Sequence, residues 1–132
     1  MTPFRFVNAV LDATNEYRSK HNESALALNN FLCNMAQGWA NYLQENCLLE
    51  HRPFPWPSVA KAENLATRCE SPPSGRDPVF DNWANSPGHR ENMLGSGYTV
   101  MGVGLGLTVG CSEHCWSTLD NHEGAVIVAM YG

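Results

Sequence analysis

Between Tyr98 and Val109 the chain alternates, with Val103, Leu105 and Leu107 in one register and Gly102, Gly104 and Gly106 in the other. A period of two places these sets on opposite faces of a strand. A glycine face weakens a strand, because glycine loses the most backbone entropy and offers no side chain to pack. Such a face makes sense where another backbone or a ligand must come close. A second strand is expected over Ala125 to Tyr131, whose nearly continuous apolar character predicts burial on both faces.

The earlier part of the chain carries helical spacing. Thr2-Pro3 supplies a hydroxyl cap and a proline suited to the first helical position. Val7, Val10, Leu11, Thr14 and Tyr17 then recur at helical intervals until polar residues take over near His21-Asn22. A second helix is expected from Asn29 or Asn30 to about Asn46-Cys47, with an apolar stripe of Leu32, Met35, Ala36, Trp39, Ala40 and Leu43. The small residues Ala36 and Ala40 would let a neighbouring element approach closely. Asp77-Pro78 and Ser86-Pro87 are start signals for two short helices, the second carrying His89, Arg90 and Met93.

Residues 51–58 read HRPFPWPS, where Pro53, Pro55 and Pro57 forbid a helix and make a stiff extended loop. Residues 71–78 form another loop, and Asn121 to Gly124 a turn. Helices followed by strands predict a single α+β domain over residues 1–132, with helices packed on an antiparallel sheet. No repeat, linker or low-complexity segment is present.

Eight Lys+Arg against thirteen Asp+Glu give a net charge of −5, and no Lys/Arg run occurs, so nucleic acid is not an expected partner. No apolar stretch reaches the roughly 20 residues of a membrane span. Met1 to Val10 does not read as a signal peptide. The five cysteines are Cys33, Cys47, Cys69, Cys111 and Cys115, an odd number that leaves at least one thiol free or paired between chains. Their density leans towards an oxidising compartment. Cys33 is the expected free, buried thiol. Cys111 and Cys115 read as a small disulfide loop, with a Cys/His metal corner through His114 as the alternative. A Cys47–Cys69 bridge would brace the segment between them. Trp56 is either an exposed contact residue or core, whereas Trp39 and Trp83 read as core.

His51, Glu63 and His89 stand out as a possible set of metal ligands, a general acid/base group or a structural hydrogen-bond cluster. Taken singly, each is more simply a capping, core or solvated residue. No HExxH spacing, phosphate-binding glycine loop or Gly-x-Ser-x-Gly elbow is present.

Several segments, in order, resemble the CAP superfamily of cysteine-rich secretory, antigen 5 and pathogenesis-related proteins, also called SCP domains. Asn15, Arg18 and His21 match its Asn-x-x-Arg-x-x-His helix motif. Leu28 through Leu43 matches the helix leading to its first cleft histidine, here His51. Ala62-Glu63-Asn64-Leu65-Ala66 resembles Gly-Glu-Asn-Leu-Ala. Residues 81–94 resemble the segment of the branch carrying Ser-Pro-Gly-His-Arg, here Ser86 to Arg90. Met101 to Gly104 and Val128 to Tyr131 match its strands, so the resemblance covers roughly residues 7–131.

The resemblance implies an α–β–α sandwich with a small antiparallel sheet between helices. It implies a cleft with two histidines and two acids, able to bind zinc, with His51 and His89 as metal ligands and Glu63 as the first acid. The second acid's position holds Ser86, which lacks a carboxylate's charge, and Glu91 is expected to point elsewhere. The implied function is a secreted, extracellular binding module for a lipid, a sterol or another ligand, acting as a monomer. The alternatives are a metal-dependent hydrolase or protease using zinc and Glu63, and an intracellular peripheral interaction protein. Thr2 and the acidic balance do not suit the myristoylated, basic-surface mode of that last branch.

Overall fold

A computed structural model describes residues 3–68, 78–107 and 125–132. The first helix, α1, spans Pro3–Lys20 and is followed by a two-residue strand, β1, at Ala27–Leu28. Helix α2 covers Asn30–Asn46 and strand β2 covers Ala62–Arg68. Helices α3 (Pro78–Ala84) and α4 (Pro87–Met93) precede strands β3 (Val100–Leu107) and β4 (Ala125–Tyr131). Thr2, Asp77, Cys69, Cys111, His114, Cys115 and the turn at 121–124 lie outside the described residues.

The strands form one sheet in the order β1-β3-β4-β2. β4 lies antiparallel to both β2 and β3, but β1 runs parallel to β3. The sheet is therefore mixed, where an antiparallel one is expected from the sequence. β1 is too short to show a period of two, and β2 comes between helices rather than after them. Both strands owe their conformation to a neighbour already in place: Asn29 N–H donates to Met101 O, and every residue of β2 pairs with one of β4.

β4 is fully buried. Ala125, Ile127, Ala129 and Tyr131 join a core with Phe6 and Val10 of α1, Phe80 and Trp83 of α3 and Met93 of α4. Val126, Val128 and Met130 face Leu32, Ala36, Ala40 and Leu43 of α2. Helix on sheet on helix is the α–β–α sandwich that the resemblance implies.

The glycine face of β3 meets the backbone of α2. A Cβ on Gly104 would lie 2.5 Å from the carbonyl carbon and oxygen of Ala36, and one on Gly106 would lie 2.8 Å from Ala40 O. A Cβ on Gly102 would overlap the Leu32–Cys33 peptide. Three glycines facing Leu32, Ala36 and Ala40 thus let main chain rest on main chain. Gln37 completes the contact: its amide accepts from Leu105 N–H at 3.0 Å and donates to Leu105 O at 2.8 Å, substituting for a strand at the edge of β3.

Gly38 on the same helix has no such role, since a Cβ there would meet nothing within 4 Å. Gly38→Ala is expected to raise stability by about 0.5–1 kcal/mol, because glycine costs that much in a helix interior. Urea denaturation checks it: an unchanged or lower midpoint contradicts the open surroundings of this position.

The Asn15–Arg18–His21 motif acts mainly as a structural staple. The Asn15 amide exchanges two hydrogen bonds with the Leu26 backbone, at 2.8 and 2.9 Å. Arg18 is fully buried. It donates to Ser24 O, Met93 O and Gly95 O, tying α1 to the end of α4. Burial pushes its guanidinium pKa down, against the pull of Glu23, Tyr131 and Tyr98. His21 is exposed and its Nδ1 reaches only the Tyr17 carbonyl.

Candidate functional site

Three elements converge at the outer edge of β2. α2 ends at Cys47, which adopts the left-handed conformation and bonds back to Gln44 O and Leu43 O. The chain then turns into the proline-rich loop, whose first residue, His51, stands over Glu63 of β2. Ser86 opens α4, and His89 follows one turn later. Trp83 Nε1–H donates to Leu65 O, and Asn92 Nδ2–H to Glu63 O, so α3 and α4 cover the open edge of β2.

His51 Nδ1 lies 2.7 Å from Glu63 Oε1, which also accepts from Arg52 N–H at 3.1 Å. An ionised carboxylate only accepts, so Nδ1–H of His51 is the donor. The two partners differ sharply in exposure: the Glu63 side chain is 0% exposed and that of His51 64%. Burial pushes the Glu63 carboxyl up, against the hydrogen bonds from His51 and Arg52. Its second oxygen, Oε2, is buried with no hydrogen-bond partner among the described residues.

His89 Nδ1 lies 2.9 Å from Ser86 Oγ. The Ser86 hydroxyl makes no cap bond to the helix it starts and is turned to the imidazole instead. Burial pushes the His89 pKa down, and repulsion from His51 adds to this. His51, Glu63, Ser86, Gly88, His89, Glu91 and Asn92 line one open cleft of about 400 Å³. The structure thus brings together every residue that the sequence nominated for the site. Glu91 is exposed at the rim, where it borders both this cleft and a neighbouring concavity with Pro87 and Leu94.

Sequence reasoning missed the brace behind the cleft. Asn64 Nδ2–H donates to His89 O at 2.9 Å, and Asn92 Nδ2–H donates to Asn64 Oδ1 at 2.9 Å. Two amides therefore lock α4 to β2 and set His89 beside Glu63. The Asn64 that follows Glu63 and the Asn92 in the turn after His89 were the available signals.

Other residues agree with expectation or differ from it in detail. Cys33 is a free thiol but only half-buried. Trp83 is core, at 1% exposure. Trp39 is half-buried and stacks on exposed Tyr42. Trp56 is half-buried beneath Phe54, which is the exposed aromatic of the loop at 78%.

For a histidine with a lowered folded pKa, stability is full above the ordinary imidazole value of about 6.5 and drains as pH falls through the lowered value. Ser86→Asp is expected to raise the His89 pKa, by setting a carboxylate beside the ring. The acid-side loss should shrink accordingly. NMR titration of the His89 ring protons checks the shift; an unchanged midpoint would mean that residue 86 does not govern this ring.

Two imidazoles, each engaged at Nδ1, retain Nε2 without a hydrogen-bond partner among the described residues, a donor set that suits a divalent metal. No cluster of three or more His, Cys, Asp or Glu placed to hold a metal occurs among the described residues. The two imidazoles are therefore short of the three protein ligands usual at catalytic zinc.

Comparison with known proteins agrees with this architecture. The crystal structure of MpPR-1i superposes with a TM-score of 0.71 at 17% identity, over 99% of this chain and 89% of that one. An extracellular SCP-domain protein of Bacillus anthracis str. Ames gives 0.62 at 20% identity, over 98% of this chain and 41% of that one. At these identities the likeness is one of fold. In sequence, the uncharacterized membrane protein YlbC of Bacillus subtilis (strain 168) is 29% identical over 108 residues, 73% of this chain. The chain spans 30% of that relative's length. No described helix is long and apolar enough to cross a membrane. The profile of the cysteine-rich secretory protein family matches residues 11–119, and the chain belongs to this family, CAP.

Proposed function

We propose that this domain is a non-catalytic, extracellular binding module whose His51–His89 cleft takes a divalent metal, with zinc as the ion its ligand types suit. The observation that carries the reading is the pairing of each Nδ1 with its own partner, Glu63 or Ser86, beside one shared cleft. Hydrogen bonds at one ring nitrogen orient the other as ligand. His51 and His89 would hold the ion, Glu63 would orient His51, and solvent would fill the remaining positions. When bound, zinc supplies a Lewis acid.

Binding rather than hydrolysis is favoured because catalytic zinc usually has three protein ligands, and Ser86 stands where a second acid is expected. A lipid or sterol ligand belongs to the same reading, supported by the apolar surface exposed at Phe31, Leu49 and Leu107. An oxidising compartment is supported by the density of cysteines, five in 132 residues.

Calorimetric zinc titration tests the metal reading. One equivalent should bind to the wild type, with binding lost in both His51→Ala and His89→Ala. Ser86→Asp should tighten it by about tenfold, as for other second-layer partners of a ligating histidine. Absence of binding in the wild type, or survival in either alanine variant, overturns the reading. Chelator-sensitive turnover of a peptide or ester would restore the hydrolase.

A further inference from the structure

A second concavity lies apart from the histidine cleft, between the outward face of α2 and the proline-rich loop. It has a volume of about 490 Å³, and Gly38, Trp39, Tyr42, Arg52 and Phe54 line it with Asn34 at its margin. We propose that this groove binds a small planar aromatic anion, such as an arenecarboxylate. The proposal shares the premise that the domain acts by binding. It does not depend on the metal cleft, so the zinc titration and the experiment below can fail separately.

The groove is built in advance. Trp39 and Tyr42 stack with ring centroids 4.8 Å apart and planes at 15°, and Phe54 and Trp56 stack at 4.6 Å and 30°. Both indoles are pinned by their N–H groups: Trp39 Nε1 donates to Glu50 O, and Trp56 Nε1 to Arg52 O. Ring faces held in this way offer contact area at little ordering cost. Of the two indoles Trp56 backs Phe54 from beneath, while Trp39 lines the groove with its donor already engaged. That favours a flat conjugated ligand over a sugar or a proline-rich peptide, both of which carry many polar groups that need partners.

Gly38 is the second observation. It occupies the interior of a helix, where packing does not require it, because a Cβ would enter open space at the groove. A side chain there would stand where a ligand would lie. The charge is the third. Among the described residues, Arg52 is the sole charged one lining the groove, in a chain of net charge −5. Its backbone is tied to Glu63 and Trp56, while its guanidinium makes no hydrogen bond among the described residues. A cation beside aromatic faces complements a monoanion with a planar body.

The test is an NMR titration of the ¹⁵N-labelled chain with 2-naphthoate, 2-naphthylmethanol and decanoate, read at the Gly38 amide and the Trp39 indole N–H. 2-Naphthoate should shift both signals saturably. The uncharged alcohol should bind about fivefold more weakly, and Arg52→Gln should weaken 2-naphthoate by about the same factor, the size expected of a half-exposed ion pair. Gly38→Leu, checked for an unchanged fold by its spectrum, should weaken 2-naphthoate by about tenfold or more through loss of the groove floor. Failure of 2-naphthoate to shift these signals overturns the proposal. Equal affinity for the alcohol, or full binding by Gly38→Leu, does the same. Preference for decanoate would make the groove an alkyl-chain site and also overturns it.

Discussion

Gly104→Ala is expected to destabilise the domain by about 3 kcal/mol, although it adds a single methyl group. The new Cβ would sit 2.5 Å from Ala36 C and O and from Gln37 N. These are backbone atoms in the middle of α2, so no side-chain rotation relieves the overlap. The helix would have to lift off β3, and Gly102 and Gly106 would lose their contacts with it. The hydrogen bonds from Gln37 to Leu105 would lengthen at the same time. For a domain of this size the loss corresponds to a fall in Tm on the order of 10 °C. Urea and thermal denaturation measure it, with Gly38→Ala as the matched control of opposite sign. If both alanines act alike, backbone contact between α2 and β3 is not what these glycines serve.

Arg18→Met should cost about 4 kcal/mol, the other large effect. Methionine keeps much of the apolar stem but leaves Ser24 O, Met93 O and Gly95 O without their donor. The bond to Met93 O is buried and those to Ser24 O and Gly95 O are part-buried, and an unsatisfied buried carbonyl costs about 1–3 kcal/mol. Relaxation and water entry would recover part of that sum. Arg18 Nη2 already lacks a partner among the described residues, so the wild type carries some cost of its own, and that moderates the loss. Arg18→Lys should recover less than half, because an ammonium cannot spread its donors over three separated carbonyls. Chemical denaturation measures both variants. A loss below about 1 kcal/mol in Arg18→Met would mean that the staple is dispensable. Because one of the three carbonyls ends α4 and another follows its cap, the His89 ring signals should also broaden or shift in both variants.

The histidine cleft was legible as a list of residues and not as a site. His51, Glu63, Ser86 and His89 are spread over three elements, and no local spacing links them. Only the resemblance to CAP proteins placed them together. Even then the chemistry of each position depended on burial. A glutamate beside a strand reads as solvated, yet Glu63 is sealed under the loop with an unpaired oxygen. A serine before proline reads as a helix cap, yet Ser86 serves the imidazole. The orientation of α4 rests on Asn64 and Asn92, which no local spacing announces.

What the sequence determined by itself is what local physics controls. Helix ends follow proline and capping side chains: Asn29 caps α2, and α3 and α4 begin at Pro78 and Pro87. The two-residue period marked β3, and an unbroken apolar run marked β4 as buried on both faces. The glycine face announced a close neighbour without naming it. Tertiary structure decided the rest. It chose the backbone of α2 as that neighbour, paired β1 parallel to β3, and gave β2 its place beside β4. It also assembled the cleft from α4, β2 and the proline-rich loop. These outcomes depend on contacts between residues far apart in the chain, and periodicity and capping carry no information about which distant surface will be met.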